Sequence, residues 1–112
     1  MHTDAVAMGG AMCNDLPWEL AYEHGLGVPH HSAVSFQEAV TQVAYSGDVP
    51  VSYLFCEKDL IVSPEKQRAQ IKTIEESGKS VSVVSLDAGH CPIWSMPGRL
   101  AEVLVGEVEK GN

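Results

Sequence analysis

The stretch from Val49 to Leu86 constrains the fold most, because it holds two short apolar runs separated by one capped, polar helix. The first run, Val49-Pro50-Val51-Ser52-Tyr53-Leu54-Phe55-Cys56, is β-branched, aromatic and apolar at consecutive positions. That is the pattern of a strand buried on both faces of a parallel sheet. Beyond the turn Glu57-Lys58-Asp59, Ser63 supplies a helix cap, Pro64 suits the first helical position and Gly78 a stop. The helix between them has a thin apolar stripe, Ile71 and Ile74 beside Ala69, so it belongs on the surface of a sheet. Val81 to Leu86 is the second apolar run. Strand, helix, strand is a βαβ crossover, which pairs its strands in parallel. The predicted class is therefore α/β, with parallel strands at about 50–56 and 80–86 around a helix at about 64–77.

The flanks are read from caps and breakers. Residues 1–13, small and without period, are expected to be disordered. A short helix is predicted at about 16–24, with Asn14 or Asp15 as its cap and Gly25 as its stop; Trp18, Ala21 and Tyr22 share one face. Gly25 to Ser32 reads as loop. Ser35 with Glu38 forms a capping box, which predicts a second helix at about 35–46 bearing Phe36, Val40 and Val43 and ending at Gly47. A last helix is predicted at about 97–109, burying Leu100, Val103, Leu104 and Val108.

At 112 residues the chain has room for one domain, and its net charge of −8 offers no basic patch for phosphates. Nucleic acid and anionic membrane surfaces are therefore not expected partners. No apolar run reaches the roughly 20 residues of a spanning helix. Met1 to Cys13 contains no Lys or Arg and does not read as a signal peptide, which makes the cytoplasm the expected location. The odd set Cys13, Cys56 and Cys91 matches neither a disulfide framework nor a zinc motif. Reduced thiols are expected, with Cys56 buried at a strand end.

In open parallel sheets reactive groups sit just past the carboxyl ends of the strands. Asp59 follows the first strand in this way and His90 follows the second. A carboxylate there can accept from one imidazole nitrogen and leave the other as a general base. The competing reading makes Asp59 a turn residue and His90 a loop residue. Two weaker constellations are a Cys91 thiol nucleophile beside His90, and a zinc site from His30, His31, His90 and Cys91. Glu75, Glu76, Glu102, Glu107 and Glu109 read as solvated helix faces.

The text around these positions narrows the choice. Val49 to Asp59, with Pro64 after it, resembles the acid-bearing strand and turn of the α/β-hydrolase family. Ala88-Gly89-His90-Cys91-Pro92-Ile93-Trp94-Ser95-Met96-Pro97, followed by Leu100, Ala101 and Leu104, resembles that family's histidine loop and closing helix. The likeness covers about Ser32 to Lys110. It is greatest to small esterase-like members from fungi, and more distant to plant methylesterases and hydroxynitrile lyases. The resemblance implies a partial α/β-hydrolase fold in which residues 14–47 are the end of a lid region plus a helix, and residues 48–112 the acid and histidine segment. It implies Asp59 as triad acid and His90 as triad base, an ester-like small-molecule substrate, and no cofactor or metal. Trp18, Tyr22 and Trp94 are then candidates for lining an apolar acyl or aromatic site, with ordinary packing as the competing role.

One part of the family pattern is missing. There is no G-x-S-x-G nucleophile elbow; Ser32, Ser35 and Ser46 fall in caps and loops, and the His-Gly oxyanion loop is absent too. A truncated, esterase-like hydrolase is implied, inactive by itself, or alternatively a non-catalytic binding or regulatory fragment that pairs with another chain. Two apolar strands without neighbours also predict either a homo-oligomer formed through an exposed strand edge or a marginal, aggregation-prone monomer.

Overall fold

The computed structural model describes residues 4–111. Its elements are α1 (Ala5–Met12), α2 (Trp18–Leu26), β1 (Val51–Cys56), α3 (Pro64–Glu76), β2 (Val81–Leu86), the single turn α4 (Pro92–Ser95) and α5 (Pro97–Lys110). β1 and β2 pair in parallel, with Val51 opposite Val81 and Cys56 opposite Leu86. A mixed α/β chain with two parallel strands, as the apolar runs predict, is what forms.

Local chemistry explains the central unit. Ser63 Oγ accepts from the Lys66 N–H at 3.3 Å, Pro64 opens α3, and Gly78 follows its end at φ +95°. That left-handed conformation is one glycine adopts without steric penalty. Alternate side chains divide the sheet. Leu54, Val84 and Leu86 pack with Ala88, Met96, Leu100 and Val103, so α5 covers one face. On the other face Tyr53 donates to Gln70 Oε1 at 2.6 Å, and the Arg68 guanidinium lies 5.5 Å from the Phe55 ring centre, both from α3. The predicted burial of Leu104 and Val108 is not observed: both are exposed, and α5 meets the sheet through Leu100 and Val103.

Two expectations for the first half of the chain are corrected. Residues 5–12 are helical rather than disordered; residues 1–3 of that stretch lie outside the described residues. Asp4 Oδ1 caps α1 by accepting from Val6 and Ala7 N–H at 3.0 and 3.1 Å. Its glycines, which argue against a helix by propensity, let it pack closely on α2. A side-chain carbon on Gly9 would overlap the Ala21 carbonyl oxygen, and one on Gly25 would overlap that of Ala5. Gly25 is thus a contact inside α2, not its stop.

The helix predicted at 35–46 does not form. Only 3-10 turns at Val34–Phe36 and Ala44–Ser46 occupy that region. Ser35 Oγ donates to the Ser32 carbonyl at 2.8 Å, which replaces the capping-box geometry. Phe36 and Val40 stay exposed, so no buried face offsets the weak helix propensity of Val40, Thr41 and Val43.

The chain exposes 7738 Å². A compact monomer of this mass exposes about 6,000 Å². Its radius of gyration, 15.7 Å, likewise exceeds the ~13 Å of a compact domain this long.

Candidate active site

The sheet builds the site by continuing past its own ends. Glu57 N–H donates to the Leu86 carbonyl at 3.0 Å, and Lys58 N–H to that of Ala88 at 2.9 Å. The loops after β1 and β2 are therefore zipped together, and Asp59 and His90 emerge side by side. His90 Nδ1 lies 2.9 Å from Asp59 Oδ2.

Asp59 is buried and fully engaged. Its Oδ1 accepts from Ile61 and Val62 N–H at 2.8 and 3.0 Å, an Asx turn that fixes the carboxylate plane. Oδ2 is left to the imidazole. A carboxylate accepts, so Nδ1 carries the hydrogen and Nε2 presents its lone pair. His90 is partly exposed, and among the described residues no hydroxyl or thiol bonds its Nε2. The arrangement can take a proton at Nε2 and stabilise the resulting imidazolium.

A residue that sequence reasoning missed holds the acid loop. Gln67, in α3, is buried; its Oε1 accepts from Cys56 N–H at 2.9 Å, and its Nε2 donates to the carbonyls of Cys56 at 2.8 Å and Val62 at 2.9 Å. In a parallel pair successive residues bond to alternate sides. Glu57 bonds toward β2, so Cys56 faces the open side of β1, and the Gln67 amide acts there as a substitute strand. The polar residue among thin apolar positions in α3 was its only signal.

Asn14 and Asp15 were expected to cap α2. The cap position is Pro17, with no side-chain bond, and both residues reach instead to the loops after the strands.

The three aromatic candidates do not share one cleft. Trp94 stacks on His24, ring centres 4.3 Å apart and planes 8° apart, in a cleft of about 720 Å³ that also meets Met12, Leu20 and Val28. Trp18 and Tyr22, 6.1 Å apart, line a smaller cleft with Val6, Gly10 and Ala21 along α1 and α2.

The cysteines are free thiols. Burial, with Cys13, Asp59, Asp15 and Cys56 nearby, pushes the Cys91 pKa up to about 11. A thiol so protonated at neutral pH is a poor nucleophile, which weighs against Cys91 in that role. Among the described residues no group of three or more His, Cys, Asp or Glu is placed to hold a metal ion. No helix is long and apolar enough to cross a membrane. Glu107 is not a solvated face: it accepts from Lys110 Nζ and from Ser52 Oγ, each at 2.9 Å, and these bonds, Lys110 first, hold its carboxyl below the usual range.

Comparison with known proteins gives one relative. Over 105 residues, 93% of this chain, the sequence is 57% identical to a protein of Phoma sp. (strain ATCC 20986 / MF5453) named probable hydrolase R7. The chain spans 43% of that relative's length. No family model matches the sequence. No solved structure matches it.

Proposed function

We propose that this chain carries the acid and base of an ester- or amide-cleaving serine hydrolase with an α/β-hydrolase arrangement. The reading rests on one observation: a buried carboxylate, locked by two backbone N–H groups, holds His90 Nδ1 at 2.9 Å. The resemblance of both loops to the family's acid and histidine segments supports it, as does the likeness to a protein named a probable hydrolase. In this role Nε2 of His90 takes the proton of a serine hydroxyl as its oxygen attacks the carbonyl carbon. It returns that proton to the leaving alkoxide or amine, while Asp59 stabilises the imidazolium between the two steps. Trp94, near the histidine loop, supplies an apolar wall for the acyl or aromatic part, with Trp18 and Tyr22 on the neighbouring surface.

In this reading the serine and the oxyanion donors are supplied by another polypeptide segment, because the 112 residues hold no nucleophile elbow, and the chain alone is inactive. The test is fluorophosphonate labelling and aryl-ester turnover. Both are measured on the isolated chain and on the chain co-expressed with the part of hydrolase R7 that it does not cover. Turnover only in the pair, lost in His90→Ala, is the expected result. Turnover that survives His90→Ala overturns the reading.

The open side of β1 and the large exposed surface favour a second reading. Here the chain is a non-catalytic module that pairs edge to edge with another copy or with a hydrolase subunit. Sedimentation decides it: a monomer at micromolar concentration counts against self-pairing.

A further inference from the structure

We propose that Asn14 and Asp15 are positioning residues for the Asp59–His90 pair, an assignment that rests on reading that pair as an acid–base unit. Asn14 Nδ2 donates to the carbonyl of Lys58 at 2.9 Å, across 44 positions of sequence. Asp15 Oδ2 accepts from the N–H of Gly89 at 2.9 Å, across 74 positions. Lys58 immediately precedes the acid and Gly89 immediately precedes the histidine. One dipeptide thus ties the peptide unit that enters Asp59 and the unit that enters Gly89, the residue before His90.

The two ties complete what the sheet begins. The extended ladder links Lys58 N–H to Ala88, on the strand side of the loops. Asn14 acts on the next peptide along the first loop, and Asp15 on the N–H of the same Ala88–Gly89 peptide whose carbonyl the ladder holds. The bond from Gly89 N–H is charge-assisted and holds the Ala88–Gly89 peptide, whose carbonyl already accepts from Lys58 N–H, from its other side. That anchors the chain one residue before His90, and so restricts the directions from which Nδ1 can approach Asp59.

Gly89 is shaped to this contact. A side-chain carbon there would overlap Asn14 Oδ1 and lie 3.0 Å from Asp15 Oδ1. Asp15 Oδ1 is itself buried without a hydrogen bond among the described residues. The dipeptide follows buried Cys13 at the end of α1, so the packing of α1 on α2 is transmitted to the pair.

The experiment is 15N NMR of the His90 ring in the complete chain, which reads the tautomer whether or not the chain turns over ester. The parent is expected to hold the hydrogen on Nδ1. In Asp15→Ala the ratio of Nδ1–H to Nε2–H forms should fall about tenfold, the effect of one charge-assisted bond. Asp15→Asn, which keeps an oxygen for Gly89, should restore most of the ratio. Gly89→Ala attacks the same contact from the other side, and the double variant should be no worse than the worse single one. Asp87→Ala, which removes only an exposed ion pair with Lys58, should leave the ratio unchanged. A folded Asp15→Ala chain with the parent's ratio overturns the assignment. If that variant does not fold, a parental ratio in Gly89→Ala overturns it instead. A tenfold loss in a chain pair that shows no ester turnover supports the tie and counts against the hydrolase reading alone.

Discussion

Replacing Gln67 by Leu keeps much of the side-chain volume but removes three hydrogen bonds at the base of the acid loop. The Cys56 N–H then becomes a buried donor without a partner, which costs about 1–3 kcal/mol. The carbonyls of Cys56 and Val62 lose one bond each, at about 0.5–1.5 kcal/mol apiece. The Cys56 carbonyl keeps a longer bond from Asp59 N–H at 3.4 Å, so its loss lies at the low end. The sum, about 2–5 kcal/mol, is a large part of the 5–15 kcal/mol that holds a domain together. Urea unfolding measures the total. Hydrogen exchange at Ile61 and Val62 locates it, because those N–H groups are bound to Asp59 and should open first. Gln70→Leu is the control: it loses one exposed bond, to Tyr53, and should change stability by no more than about 0.5 kcal/mol. Stability of Gln67→Leu within about 0.5 kcal/mol of the parent, or unchanged exchange at Ile61 and Val62, would refute the substitute-strand argument.

Three further outcomes are expected. Gly9→Ala should destabilise by about 1–3 kcal/mol in thermal melts because the added carbon meets backbone, whereas Gly10→Ala, with open space around it, should stabilise by up to about 1 kcal/mol. Cys91, its pKa raised from 9.0 to about 11, should react with iodoacetamide at pH 8 about a hundredfold more slowly than an unperturbed thiol, as followed by mass spectrometry. Because the Glu107 carboxyl is held low by Lys110 and Ser52, its stabilisation is present above the ordinary carboxylate pKa and disappears as pH falls through the lowered one. The gap in melting temperature between the parent and Glu107→Gln should therefore close on acidification, and a gap independent of pH would contradict the assignment.

The parts of the fold legible in the sequence were those with strong local signals. The apolar runs and the Ser63-Pro64 and Gly78 punctuation placed both strands and α3 to within a residue or two, and Pro97 placed α5. The closeness of Asp59 and His90 was legible because their positions after adjacent parallel strands follow from the topology. What escaped depends on distant partners. α1 has small residues and no apolar period; its helix is stabilised by glycine-mediated contact with α2, which no local pattern encodes. The capping box at Ser35 and Glu38 was a local signal without a buried face to support it. Gln67, Asn14 and Asp15 have side chains that reach backbone groups remote in sequence, so their type alone says only that they are polar.

The pairing of Val51 with Val81 has a consequence for how this chain tolerates change. The rise along a strand is about 3.3 Å per residue, so a one-residue slip is larger than the 2.9 Å that separates His90 Nδ1 from Asp59 Oδ2. Sliding β2 by one position would carry His90 out of reach of Asp59, and would also turn Leu86 and Val84 away from α5. The register is therefore a ruler shared by the core and the pair of loops. Deletions or insertions between Val51 and Asp59, or between Val81 and His90, are tolerable only when matched in both segments. In the crossover, Ile61, Val62 and Gln67 hold the acid loop, so only the turn between α3 and β2 can vary in length without altering the distance that matters.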